Sequence, residues 1–252
     1  MTTTTVITAV APPPFGQDPD PVVIGHRGAA GHHPDNSLEG FAAARDLGAT
    51  WVELDVRLSA DGVVVLSHDP ATAAGSLVTE TPSAQLANEG LTTLAEALPV
   101  IEEHALGVDV EIKNLPWEDD YDPRLRLVDA TLEVLDEASP LGPVVLSSFN
   151  QGAIDRVRAQ AGDAYATALI TPGAGDARAL RARVLAAGHD GVVIDHEAVD
   201  DEILHTLSTG GLTLWAYTVD DPMTAAVLVA DGVSGIVTDV PDEISERLDL
   251  LP

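Results

Sequence analysis

Short apolar runs rich in valine and isoleucine recur along the chain, and each is followed by a segment whose apolar residues have helical spacing. This alternation is typical of a parallel sheet covered by helices. The predicted strands are 22–26, 51–58, 108–113, 144–149, 165–170, 192–196, 213–219 and 235–239. The predicted helices are 37–47, 94–104, 123–138, 151–160, 176–187, 200–208, 222–230 and 241–248. Eight parallel strands close a barrel, so the pattern predicts the α/β class and a (β/α)8 barrel.

One elaboration of this barrel is expected after the second strand. The pair Asp61-Gly62 separates strand 51–58 from another apolar run at 63–66, which is a hairpin signal. We therefore predict a short antiparallel strand before His68. Residues 70–93 are rich in Ala, Thr, Gly and Ser and are predicted to form a loop over the top of the barrel, where long loops carry function.

The first helix has a clear start signal. Asn36 is placed to cap it, and Glu39 lies three residues further on, in the reciprocal capping position. Gly48 then ends the helix.

The length of 252 residues fits one such barrel. Residues 1–21 are rich in Thr and Pro and are predicted to form a flexible arm, so residues 22–252 form the single domain. Residues 1–20 lack a basic segment followed by an apolar core, and no segment reaches the roughly 18 apolar residues of a membrane span. We expect a cytoplasmic protein without membrane insertion. The sequence leaves its oligomeric state open.

Composition narrows the possible partners and ligands. The net charge is −29, from 41 acidic and 12 basic residues, and such a field repels nucleic acids and anionic membranes. Cysteine is absent, so a bound metal would need oxygen or imidazole ligands.

Carboxylates alternate with apolar residues on two neighbouring predicted strands. Residues two apart in a strand share a face, so Glu53 and Asp55 point the same way. In a barrel that face is the interior, where paired carboxylates need a cation to offset desolvation. Glu111 on the next strand can join them. An all-oxygen site suits one Mg²⁺ or Ca²⁺ ion. The alternative is a metal-free ionic network with the nearby basic residues Arg27, Arg57 and Lys113.

Two histidines are expected at the same mouth. His26 ends the first strand and His68 follows the hairpin, and imidazoles that titrate near neutrality suit acid–base catalysis. Which one is the acid stays open. Arg27 offers a planar fork to phosphate oxygens, and Lys113, the single lysine of the chain, offers a point charge.

Three aromatic residues lie at or near predicted strand ends: Phe149, Trp215 and Tyr217. They are candidates for a substrate pocket, and the alternative is that they fill the barrel core.

The chain resembles the glycerophosphodiester phosphodiesterase family. The motifs that carry the resemblance extend over residues 23–242 and read GHRG at 25–28, PDNS at 34–37, VELDV at 52–56, HD at 68–69, EIK at 111–113, SSF at 147–149 and DGVSGIVTD at 231–239. The resemblance implies a TIM barrel, a divalent cation held by Glu53, Asp55 and Glu111, and acid–base work by His26 and His68. It also implies phosphate contacts from Arg27 and Lys113.

The implied reaction is hydrolysis of a small glycerophosphodiester to glycerol 3-phosphate and an alcohol. The chain departs from the family pattern at Asp35, where glutamate is usual, at Ser37, where threonine is usual, and at Tyr217, where tryptophan is usual. Two rival hypotheses are a lysophospholipase D-like phosphodiesterase acting on lipids and a barrel that binds a phosphorylated ligand without catalysis.

Overall fold

The computed structural model describes residues 15–140, 142–208 and 211–250, and in these ranges strands and helices alternate as the pattern predicts. The strands are β1 (Val22–Gly25), β2 (Trp51–Leu58), β3 (Val64–Leu66), β4 (Gly107–Ile112), β5 (Val144–Ser148), β6 (Ala166–Thr171), β7 (Gly191–Asp195), β8 (Thr213–Tyr217) and β9 (Gly235–Thr238). The helices are α1 (Leu38–Ala44), α2 (Ser83–Asn88), α3 (Leu94–Glu103), α4 (Arg126–Ala138), α5 (Gln151–Ala161), α6 (Ala177–Ala186), α7 (Asp201–Ser208), α8 (Pro222–Ala230) and α9 (Pro241–Leu248).

All strands except β3 form a closed parallel barrel. The order around it is β1-β9-β8-β7-β6-β5-β4-β2, and pairing of β1 with β2 closes the ring. The short strand β3 pairs antiparallel with the end of β2. The predicted TIM barrel with a hairpin after its second strand is confirmed.

The two faces of β2 have different environments. Val52, Leu54 and Val56 are fully buried in a layer that also contains Phe41 of α1 and Leu98 of α3. The alternate residues of the strand face the barrel interior. The same period of two therefore packs the helices on one side and places carboxylates on the other.

Two tryptophans fill the lower end of the barrel, where the strands begin. Trp51 and Trp215 stack edge to face with ring centroids 5.3 Å apart, and Phe15 lies 4.7 Å from Trp215. A Cβ at Gly107 would come within 2.4 Å of Trp51, and one at Gly235 within 2.3 Å of Trp215. These glycines give the indole rings the room that they need.

Substituting alanine for Gly235 should lower the free energy of unfolding by about 1–3 kcal/mol, because the added methyl overpacks the Trp215 layer. Thermal or denaturant unfolding would measure the loss. A suitable control is Gly173→Ala, since a Cβ there meets Ala198 at an ordinary 3.7 Å. Equal stability of the two variants would contradict the argument.

The segment 70–93 is more ordered than a loop. It contains a 3-10 turn, Val78–Glu80, and the helix α2. Val78 and Leu86 are fully buried and cluster with Val65 of β3. The loop prediction is wrong here because a few apolar side chains, widely spaced among small polar residues, suffice to fold the segment onto the hairpin.

The predicted cap of the first helix is also wrong. Ser37, not Asn36, is the N-cap of α1, and its Oγ accepts a hydrogen bond of 3.1 Å from the amide of Gly40. Asn36 has φ of 55°, a left-handed conformation that asparagine tolerates better than most residues, and its side chain is used elsewhere.

Of the predicted N-terminal arm, residues 1–14 lie outside the described residues, so the arm stays a prediction there. Phe15, the first described residue of the predicted arm, is only 9 % exposed and packs on the lower tryptophan layer. Among the helices of the described ranges, none combines the length and the hydropathy needed to cross a membrane.

Candidate active site

The predicted site residues come together at the end of the barrel where the strands finish. His26 and Arg27 follow β1, and His68 follows β3. The parallel register of β2 and β4 pairs Glu53 with Asp109 and Asp55 with Glu111. A cavity of about 170 Å³ opens there and is lined by His26, Arg27, Glu53, His68, Asp109, Glu111, Lys113, Phe149, Ile170, Val193, Tyr217, Thr218 and Val237.

Glu53, Asp55 and Glu111 form a buried acidic triad. One carboxylate oxygen from each can be chosen so that all lie within 4.8 Å of one another. Glu53 is 5 % exposed, Asp55 1 % and Glu111 7 %. Oε1 of Glu53 is buried without a hydrogen-bond partner among the described residues, whereas Oδ1 of Asp55 and Oε1 of Glu111 face the ammonium group of Lys113. Three buried carboxylates that converge in this way fit a hard divalent cation such as Mg²⁺ or Ca²⁺.

Burial and the neighbouring charges shift the pKa values of all three carboxylates. Burial raises the pKa of Glu53 well above its usual value, and the charges of Asp55 and Glu111 raise it further. Burial also raises the pKa of Glu111, although Lys113 partly offsets the effect. For Asp55 burial acts in the same direction, but Lys113, Asn36 and other neighbours outweigh it and lower its pKa.

Two of the three basic residues considered from sequence contact the triad. Lys113 Nζ lies 2.9 Å from Glu111 Oε1 and 3.2 Å from Asp55 Oδ1. Arg27 Nε lies 3.4 Å from Asp55 Oδ2, and its Nη1 lies 2.5 Å from Asp35 Oδ2. These cations stabilise Asp55. Within the described ranges neither side chain forms an ion pair with Glu53. Its Oε2 accepts a hydrogen bond of 2.9 Å from the Arg27 amide and lies 4.0 Å from His26 Nε2, while its Oε1 has no hydrogen-bond partner in those ranges.

Arg57, the third basic residue, belongs to a different network. Its guanidinium lies 2.9 Å from Glu118 and 2.7 Å from Asp120 and donates to the carbonyl of His68 at 2.6 Å. It thus anchors the backbone that carries His68.

Asn36 has a role in the site, although its sequence position suggested helix capping. Its Nδ2 donates to Asp55 Oδ2 at 2.9 Å, and its Oδ1 accepts from the Asp55 amide at 3.1 Å. This pair of bonds fixes the carboxylate relative to its own backbone.

Both histidines bond an aspartate through Nδ1. His26 Nδ1 lies 2.6 Å from Asp239 Oδ1, and His68 Nδ1 lies 2.8 Å from Asp69 Oδ1. In each ring Nε2 is therefore the nitrogen turned away from the aspartate, and that of His26 is 4.0 Å from Glu53. The bond to His26 lowers the pKa of Asp239, while burial, aided by Lys113, lowers the pKa of His68.

The role of Asp239 was missed because it lies 213 residues from His26 in the chain. The available signal was its position at the end of the last strand, which a closed barrel places next to the first.

The aromatic candidates divide between two layers. Phe149 and Tyr217 line the cavity with ring centroids 5.9 Å apart. Trp215 does not: it is 1 % exposed and packs against Trp51 at the lower end. Its predicted pocket role is therefore corrected to a core role. No sequence pattern pointed to Trp117, which is 66 % exposed at the rim and lies 6.4 Å from the Phe149 ring.

Asp109 is a fourth acidic residue of the cavity. It is 1 % exposed, and its Oδ1 has no hydrogen-bond partner among the described residues. Burial raises its pKa to about 7, against the opposing effect of Ser147. The alternation along the predicted strand placed Asp109 on the interior face of the barrel but assigned it no function.

The chain is also similar to known proteins over most of its length. The model of the Glycerophosphoryl diester phosphodiesterase family matches residues 26–243. A glycerophosphodiester phosphodiesterase of Caldanaerobacter subterraneus is 26 % identical over 249 residues, covering 88 % of this chain and 96 % of that protein. One of Bacillus subtilis is 24 % identical over 264 residues, covering 89 % and 85 %. A solved Oleispira antarctica phosphodiesterase, in complex with the product sn-glycerol-3-phosphate, has a TM-score of 0.82 at 28 % identity and covers 91 % of this chain and 97 % of its own.

Proposed function

The chain belongs to the glycerophosphoryl diester phosphodiesterase family, and from that premise we propose that it hydrolyses glycerophosphodiesters to sn-glycerol 3-phosphate and an alcohol with the help of one divalent cation. The observation that carries the proposal is the buried triad of Glu53, Asp55 and Glu111, within reach of two aspartate-bound histidines.

The phosphate group would bind between the triad and the two cationic side chains. Arg27 and Lys113 both line the cavity and present a guanidinium fork and an ammonium to the same anion. A divalent ion on the three carboxylates would neutralise phosphate charge. With the ion bound, these groups would form a locally positive region inside a protein whose net charge is −29.

Proton transfer would be the task of His26 and His68. One proton must leave the attacking hydroxyl or water, and one must reach the oxygen of the departing alcohol. Asp239 and Asp69 fix the rings through Nδ1, which presents Nε2 to the phosphate. Asp239 and Asp69 are thus positioning residues rather than proton carriers.

The proposal predicts release of sn-glycerol 3-phosphate from glycerophosphocholine and related diesters in the presence of Mg²⁺ or Ca²⁺. Chelation should remove the activity, and re-addition of either ion should restore it, because the triad cannot neutralise phosphate without a cation. A coupled assay for glycerol 3-phosphate measures both effects. Turnover of lysophospholipids with none of the glycerophosphodiesters would contradict the proposed substrate class, and full activity after chelation would contradict the metal.

A further inference from the structure

The floor of the cavity holds a carboxylate that the proposed reaction leaves unused. Asp109 lies on β4 two residues before Glu111 and points into the same space. Its Oδ1 is buried without a hydrogen-bond partner among the described residues. A buried acceptor without a partner is costly, so the position favours a ligand group that brings a donor into the cavity.

A shared metal does not satisfy this oxygen. In the described residues the cluster of acidic side chains close enough to hold one ion comprises Glu53, Asp55 and Glu111, and Asp109 is outside it. Its register partner on β2 is Glu53, which would be ionised when it holds the cation, and an ionised carboxylate accepts hydrogen bonds but cannot donate one. Ser147 is the neighbouring hydroxyl of the chain, but its Oγ and Asp109 Oδ1 are both without a hydrogen-bond partner among the described residues. The complementary group is therefore a donor on the substrate, and a hydroxyl fits best in so small a space.

The depth of Asp109 in the cavity determines which part of the substrate can place a hydroxyl next to it. Residues two apart on a strand are separated by about 6.6 Å, so Asp109 lies about that far below the level of Glu111. A phosphate held at the upper level can extend the three-carbon chain of a glyceryl group downward over this distance, at about 1.5 Å per bond. The terminal hydroxyl then reaches the floor.

The side chains on the other walls of the cavity fit a polyol that enters the barrel with its terminal carbon first. Opposite the carboxylates the cavity is lined by Ile170, Val193 and Val237, which suit the carbon-bound hydrogens of glycerol. The mouth instead carries Trp117, exposed to solvent beside Phe149. An alcohol of variable size can extend through an open mouth, whereas a cavity of about 170 Å³ in total suits a substrate group of constant size.

We propose that Asp109 is a specificity-determining residue that accepts a hydrogen bond from the terminal hydroxyl of the glyceryl group, so that this group enters the barrel first and the variable alcohol stays at the mouth. The inference rests on the proposed function, since it assigns an orientation to that substrate.

Binding calorimetry in Mg²⁺ tests the assignment without turnover. The ligands are sn-glycerol 3-phosphate and propane-1,2-diol 1-phosphate, which lacks only the terminal hydroxyl. The unaltered protein should bind the first at least about tenfold more tightly, the equivalent of about 1.4 kcal/mol. Asp109→Ala should lose this preference while its affinity for the deoxy ligand stays within about threefold. Asp109→Asn retains an oxygen acceptor of the same shape and should retain most of the preference.

The matched control is Asp195→Asn at the end of β7, a carboxylate outside the cavity lining, which should keep the full preference. Equal affinity of the unaltered protein for both ligands would overturn the proposal, and so would equal weakening of both ligands in the Asp109 variants. A clear hydroxyl preference together with no glycerol 3-phosphate release from any diester would contradict the proposed function and uphold the assignment of Asp109.

Discussion

Replacing either His26 or His68 by alanine should lower kcat by about 10²- to 10⁴-fold, the usual contribution of a positioned acid or base. The two losses should not add, because the two rings act together in the same displacement at phosphorus, one as base and one as acid. Substrate affinity should change little, since the phosphate is held by other groups. Steady-state kinetics of glycerol 3-phosphate release, for each variant and for the pair, measures all three effects.

His32→Ala is the matched control for these variants. His32 lies in the turn that follows His26 but bonds Asp242, with His32 Nε2 2.8 Å from Asp242 Oδ1, and does not line the cavity. Its loss should leave kcat close to normal. Near-normal turnover in both the His26 and the His68 variant would refute their assignment.

Substituting Glu53→Gln should abolish metal-dependent turnover and, at the same time, stabilise the metal-free protein. In the metal-free state Glu53 is buried beside two like charges, and burial is the main reason that its pKa is raised. An amide of the same shape removes that repulsion. Added Mg²⁺ or Ca²⁺ should stabilise the unaltered protein, by about 2.7 kcal/mol at one hundred times the dissociation constant, and should have no such effect on the variant.

The same raised pKa predicts a pH dependence for the metal-free protein. A carboxyl whose pKa is higher in the folded state contributes stability that is complete below the unfolded value of 4.5 and is lost as pH rises through the folded value. Stability should therefore fall with rising pH more steeply in the unaltered protein than in Glu53→Gln. Thermal unfolding across pH, with the exposed Glu103→Gln as control, measures the difference. Identical pH profiles for all three proteins would rule out the buried charge.

Short-range periodicity accounts for what the sequence could predict. In 52–56 and 108–113 the alternation places carboxylates on one face of each strand and apolar residues on the other. This pattern alone was enough to group Glu53, Asp55 and Glu111 in a barrel interior. The parallel pairing of β1 with β2 then brings His26 to the mouth, and the antiparallel hairpin strand β3 places His68 beside the end of β2.

Features that depend on depth or on distant segments could not be predicted in this way. Trp215 and Tyr217 are two residues apart on β8 and share a face, yet one fills the lower layer and the other lines the cavity. The stagger of the barrel decides which position along a strand lies at the level of the cavity. Asn36 and Asp239 act through partners on other strands. A local pattern assigns the first to a helix cap and gives the second no role.

The position of Lys113 has a practical consequence. It carries the single ε-amine of the chain, is 5 % exposed and lies between two carboxylates that hold it protonated. Acylating reagents need a neutral, accessible amine, so they react with this side chain when it leaves the two carboxylates and loses its proton. The extent of acylation at Lys113, separated from that of the N-terminal amine by peptide mapping, reports the frequency of that release, and ligands that fill the cavity should protect the amine in proportion to their occupancy.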